Sequence, residues 1–293
     1  MLTIEAVIKR HAVLIYFALV FLISWGGGFL ILGPGDFPLS GQEFESLGAS
    51  FYIAILAGPC VAGILLTGIV DGSSGLRGLL ARLRRWRVAP SWYAVALLPA
   101  LVMTASAFLL STVSSDFRPA ILDSTDKAGI AMRALGPALL VGSLEEIGWT
   151  GFVVPCLRAR HSILATGLAV GVVWGAWHFP LFWEGDSFTG TLPLAILFIR
   201  LFSWLPPFRV LLVWIHDRTQ SLPAVMIMHA LVSFISIILA PKALTGARLL
   251  AALLVAAGTM WLLLVAVGAA NRWRLSRQPA RASLLVPRSR LIG

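Results

Sequence analysis

The chain has 293 residues, of which 58% are hydrophobic and 12% charged, and its formal net charge is +10. That balance lies outside the range of soluble globular domains and inside that of polytopic membrane proteins. The basic excess therefore does not signal nucleic acid: the arginines fall in short segments between apolar runs, where they contact anionic lipid and set orientation.

Eight apolar runs follow one another, at approximately 12–32, 50–70, 90–113, 130–155, 162–182, 191–213, 221–240 and 248–270. Each is long enough to cross about 30 Å of hydrocarbon at about 1.5 Å per residue. The expected fold class is all-α, a polytopic membrane helix bundle forming one domain over residues 1–293, with a basic cytoplasmic tail over 271–293. The first run is longer than the apolar core of a signal peptide and lacks a clear cleavage site, so it reads as a first span. Cys60 and Cys156 lie in or beside apolar runs and imply no disulfide framework. The sequence LVPR near the end is similar to a protease recognition site of the kind left by cloning, and carries no structural weight.

Connecting segments alternate in charge. Asp36, Glu43 and Glu45 follow the first run, whereas Arg77, Arg82, Arg84, Arg85 and Arg87 follow the second. Arg158 and Arg160, then Arg218, then Arg272, Arg274 and Arg277 mark further basic segments, and Asp116, Asp123, Asp126, Glu184 and Asp186 mark the acidic ones. The positive-inside rule places both termini in the cytoplasm, with Lys242 as the one dissenting loop residue. In LRGLLARLRRWRV, Leu76, Leu79, Leu80, Leu83 and Trp86 recur at helical spacing among arginines, which predicts an interfacial amphipathic helix. A bacterial cell membrane is the expected location, with membrane lipids as partners.

Chemistry concentrates in the fourth run, in SLEEIGWTGF, where Glu145 and Glu146 stand side by side in an otherwise apolar segment. Each carboxylate costs about 2.5–3.5 kcal/mol at the centre of a membrane helix, so such residues mark a site. Two later runs each carry a histidine, His178 in VWGAWHFPLFW and His229 in AVMIMHALVSF. If the fourth and fifth runs form an antiparallel hairpin about the turn at Arg160 and His161, Glu145 and His178 reach similar depth; His229 lies shallower unless a tilt closes the gap. Glu145 and Glu146 point about 100° apart, so one aims at the reacting atom and the other anchors a neighbour. Ser233 shares a helix face with His229, as Trp174 does with His178. Trp149, Trp174 and Trp177 read as packing residues, and His161 and His216 as solvated.

A carboxylate in a low-dielectric pocket is an effective general base for water, and two histidines can orient that water or stabilise an oxyanion. Glu145, His178 and His229 would equally suit a zinc ion with an open position, although HExxH is absent. No GxSxG motif points to a serine nucleophile. Proton-coupled transport is a further use of buried acids and histidines.

EEIGWT at 145–150, WGAWH at 174–178 and HALVS at 229–233 resemble the EExxxR, FxxxH and HxxxN/D motifs of the CPBP family, the CAAX prenyl endopeptidases and bacteriocin-processing proteins. The resemblance covers roughly residues 50–240. It implies an intramembrane endopeptidase acting on membrane-associated or prenylated peptides, with Glu145 activating water, His178 and His229 supporting it, and Glu146 and Ser233 completing the site. No obligate metal is implied in the glutamic-protease view; the metalloprotease view makes Glu145, His178 and His229 zinc ligands and Glu146 a candidate base. Thr150 stands where the family has arginine, Trp174 where it has phenylalanine, and Ser233 where it has asparagine. The lost arginine leaves Glu146 either protonated or needing another partner, for which Arg200 and Arg133 are the candidates, or else the chain is a noncatalytic binding or immunity-type protein that has kept the fold.

Overall fold

A computed structural model describes residues 3–33, 41–241 and 244–275, with side chains from residue 46 onward in the second stretch. The side chains of Asp36, Glu43, Glu45 and Lys242, and the tail beyond residue 275 with Arg277 and LVPR, lie outside that description. The α-helices are α1 (Ile4–Arg10), α2 (Ala12–Leu32), α3 (Gly41–Leu83), α4 (Pro90–Val113), α5 (Ala120–Asp123), α6 (Lys127–Gly148), α7 (Val154–Arg158), α8 (Ile163–Trp177), α9 (Phe179–Phe182), α10 (Thr191–Phe202), α11 (Leu205–Thr219), α12 (Leu222–Ile238) and α13 (Gly246–Ala270).

Among the described residues, six stretches are long and apolar enough to cross a membrane: Ala12–Leu32, Ser46–Leu83, Pro90–Val113, Lys127–Arg158, Thr191–Thr219 and Gly246–Ala270. The shorter apolar helices Ile163–Trp177 and Leu222–Ile238 supply the remaining two runs. The protein is an all-α integral membrane bundle, and its outer surface carries exposed Leu14, Leu22, Leu30, Leu101, Leu109 and Leu262, as contact with lipid tails requires.

Local sequence explains the element ends. Asp126 caps α6 by accepting from the Gly129 amide at 2.8 Å, Ser162 caps α8 through Ala165, and Ser221 caps α12 through Ala224. In α2, Tyr16, Val20, Ser24, Gly28 and Leu32 are buried at a spacing of four, forming one stripe that faces α3, and Ser24 Oγ donates to the Ile55 carbonyl at 2.5 Å. Within α3, Gly72 takes φ 63°, a left-handed conformation that glycine adopts without penalty, and there the membrane-crossing part gives way to the amphipathic segment. That segment is helical to Leu83 and then turns, so the predicted helix ends before Trp86. Arg82 donates to the Gly151 carbonyl at 2.9 Å, joining the segment to the turn just after the two glutamates.

Two details of packing differ from the sequence expectation. The fourth and fifth runs do not form a packed pair: α6 lies chiefly on α12 and α3, and α8 lies chiefly on α11. The sixth run also breaks. Helix α10 ends at Ser203, and Leu205-Pro206-Pro207 restarts the chain as α11, since proline is favoured at a helix start where its missing N–H is not needed. Helix α11 is buried along nearly its whole length, including Arg209. It is an inner helix, enclosed by α8, α12 and α13.

Candidate active site

Helix α6 runs into one turn of π-helix, Trp149–Val153, immediately after Glu145 and Glu146. Such a turn offsets the side chains that follow it, and it recurs at functional sites. Both glutamates are buried, at 2% and 0% exposure, so in this apolar setting each must be satisfied by protein groups.

Glu146 is the more heavily bonded of the two. Its oxygens accept from Arg209 Nη1 at 2.9 and 2.8 Å, from the Thr150 hydroxyl one turn along α6, and from His229 Nδ1 at 2.8 Å. A carboxylate so surrounded by a guanidinium, a hydroxyl and an imidazole is held as the anion. Because it can then only accept, Nδ1 of His229 carries the hydrogen and Nε2 is left for other use.

Glu145 is held differently. One oxygen accepts from the Trp174 indole N–H at 2.6 Å, leaving the other uncommitted. His178 stands at the C-terminal end of α8, where its Nδ1 lies 2.8 Å from the Trp174 carbonyl. A carbonyl accepts, so Nδ1 is the protonated nitrogen here too, and Nε2 is again uncommitted. Trp174 lies at the centre of the group: its ring centroid is 5.1 Å from that of His178 and 5.2 Å from that of His229, and Arg209 Cζ stacks 4.0 Å from it.

Glu145, Glu146, His178 and His229 thus gather around Trp174, and the apparent difference in depth of His229 is closed by its bond to Glu146. Trp149 and Trp177 pack as expected, with centroids 6.0 Å apart and Tyr16 against Trp149. Ser233 is half-buried one turn beyond His229 and takes no part in the hydrogen bonds of this group.

The expected counter-charges are corrected. Arg200 pairs with Glu184 at 2.6 Å and Arg133 with Asp126 at 3.2 Å, each at the edge of the bundle, so neither reaches Glu146. Arg209 does, from α11, and the sequence reading overlooked it; its one signal was a lone cation in the uncharged stretch LPPFRVLLVWI. Trp174 likewise does more than pack. His216 is corrected as well: it is 3% exposed, enclosed at the end of α11, whereas His161 is exposed as expected.

The zinc set does not fit this arrangement. Among the described residues no three His, Cys, Asp or Glu side chains converge as metal ligands, and Glu145 is engaged by the indole instead. What the group offers is a carboxylate with one open oxygen and two imidazoles, all three in contact with the Trp174 ring system, a set suited to activating water and transferring its proton.

Residues 127–235 match the family model of type II CAAX prenyl endopeptidase Rce1-like proteins. The CAAX prenyl protease 2 of Methanococcus maripaludis is 26% identical over 98 residues, a stretch that spans 32% of this chain and 36% of that relative. The alignment therefore covers about a third of the length of each protein. The matched segment is the one that carries Glu145, His178, Arg209 and His229, and over it the chain is similar to the Rce1-like CAAX prenyl endopeptidases.

Proposed function

We propose that the protein is an intramembrane endopeptidase of the glutamic type, cutting membrane-associated or prenylated peptides. The observation that carries this reading is the division of labour between adjacent carboxylates: Glu146 is consumed by Arg209, Thr150 and His229, while Glu145 keeps an open oxygen among uncommitted imidazole nitrogens. Glu145 takes a proton from water as the oxygen attacks the scissile carbonyl carbon. The C–N bond then breaks as that proton passes to the leaving amine, giving a new carboxylate and a new amino terminus. His178, whose Nε2 is an acceptor, orients the water. His229, held through Nδ1 by the Glu146 carboxylate, keeps Nε2 free to assist the proton's passage between water, Glu145 and the leaving amine.

The matched family and the relative named as a CAAX prenyl protease support peptide hydrolysis, and the basic segments support cytoplasmic termini. Thr150 favoured a noncatalytic reading, but Glu146 has a guanidinium partner in Arg209, whose Nη1 is 3.5 Å from the Thr150 hydroxyl. The test is cleavage by purified protein in liposomes against a library of membrane-associated peptides, prenylated and not. Wild-type cleavage that disappears in Glu145→Ala supports the reading; a well-folded wild type that cuts nothing overturns it in favour of a noncatalytic binding protein.

A further inference from the structure

We infer that Arg209 is a positioning residue for this reaction, a guanidinium moved from the motif helix to a different helix, that fixes His229 through Glu146. The inference rests on the endopeptidase reading above. Its ground is a convergence of two side chains from separate helices on one carboxylate. Thr150 lies four residues after Glu146, where the motif would carry arginine, and its Oγ1 is 3.5 Å from Arg209 Nη1. The tip of Arg209 thus lies beside the hydroxyl that stands in the motif arginine's place, and both groups bond the same Glu146 carboxylate.

The surrounding helices are shaped for this delivery. A side-chain carbon at Gly171 would fall 2.6 Å from the Cα of Pro206 and 3.3 Å from the Cβ of Arg209, so bare glycine lets α11 press directly on α8. Pro206 and Pro207 start α11 just before Arg209, placing it in the helix's first turns. From there its guanidinium crosses the Trp174 face and meets both Glu146 oxygens. The side chain is completely buried, which a charged group tolerates only when paired.

The chain of contacts continues past Glu146. Oxygen Oε1 accepts both from Arg209 and from His229 Nδ1. Arg209 thereby keeps Glu146 anionic, and the anion holds the His229 ring with Nε2 uncommitted. Without the guanidinium, a protonated Glu146 no longer fixes that orientation. Arg209 itself touches no reacting atom; it acts through two intermediaries.

The experiment exchanges the two side chains. Wild type, Arg209→Met, Arg209→Lys and the double variant Thr150→Arg/Arg209→Thr are compared in nanodiscs. Two readouts are taken: turnover of a peptide that wild type cuts, and the 15N spectrum of histidine-labelled protein, which reports the His229 Nδ1–H. Arg209→Met is expected to lose about a hundredfold or more in kcat with KM little changed, and to lose the His229 signature. The exchange is expected to regain kcat to within about tenfold and to restore that signature, because the charge again reaches Glu146. Arg209→Met with wild-type kcat and spectrum overturns the proposal, as does a folded exchange variant that recovers neither. If the exchange variant does not fold, Arg209→Lys decides: recovery of the signature above Arg209→Met supports the role, and none overturns it. Should wild type cut no peptide, the endopeptidase reading falls by itself, and the spectra still test whether Arg209 sets His229.

Discussion

Arg209 Nη1 lies 2.9 and 2.8 Å from the two oxygens of Glu146, across 63 residues of sequence and with both side chains at 0% exposure. Removing one partner of such a pair leaves an uncompensated charge in an apolar interior, at a cost of about 3–5 kcal/mol. Arg209→Met should therefore lower stability in detergent by that order. Adding Glu146→Gln to it should recover most of the loss, as thermal unfolding of the single and double variants will measure; a double variant no better than Arg209→Met would show that the pair is not what the cavity depends on.

Replacing Glu145 separates chemistry from stability. Glutamine keeps an oxygen that can accept from the Trp174 indole, so the 2.6 Å contact survives while the base is lost. Glu145→Gln should unfold within a few degrees of wild type and lose about 10²–10⁴ in turnover. Parallel turnover and unfolding measurements check both halves.

Trp174→Phe restores the aromatic residue of the family motif but removes the indole N–H held by Glu145. A hydrogen bond to a charged group is worth about 1.5–3 kcal/mol, so kcat should fall by roughly ten- to a hundredfold. The smaller ring also weakens the stacking on Arg209. Wild-type kcat in this variant would mean that Glu145 needs no such anchor.

Gly171→Val tests the helix contact instead of the chemistry. The added carbons meet the α11 backbone at Pro206, so α11 must move outward and withdraw Arg209 from Glu146. Overpacking of this kind costs about 1–3 kcal/mol. Activity should drop more than stability does. Gly258→Val on α13, where no neighbouring atom approaches within 4 Å, should leave both nearly unchanged and serves as the control.

Chelation separates the two views of the reaction. Glu145 is bound by an indole and His229 by Glu146, an engagement unlike a ligand set waiting for zinc. Turnover should survive prolonged chelator treatment. Loss that returns on adding zinc alone would instead establish the metalloprotease view.

Much of this architecture could be read in the sequence because membrane segments are written in hydropathy. The eight runs emerged, among the described residues, as six stretches long enough to cross a membrane and two shorter apolar helices, and the motif helices carry Glu145, His178 and His229 to a common centre. Hydropathy says little about which helix neighbours which. The hairpin that seemed natural for adjacent runs yields to packing of α6 on α12 and of α8 on α11. Arg200 and Arg209 stand nine residues apart in one apolar run, and no periodicity selects between them. The break at Ser203–Trp204 does: it puts Arg200 beside Glu184 at the margin and Arg209 in the interior. His216 was misjudged for a related reason. Flanking charges at Asp217 and Arg218 suggest solvent, yet they mark the end of a helix sheathed by its neighbours.

The separation of Glu146 and Arg209 along the chain also bears on biosynthesis. The fourth span carries two acids and the sixth carries the cation, so during sequential insertion the acids enter the bilayer before their counter-charge exists. At about 2.5–3.5 kcal/mol per acid, two unpaired carboxylates are costly in the hydrocarbon until the cation arrives. Arrival of α11 relieves that cost, and docking α12 then brings His229 to the same carboxylate. Pairing of these buried charges therefore waits for the later helices of the bundle, α11 and α12.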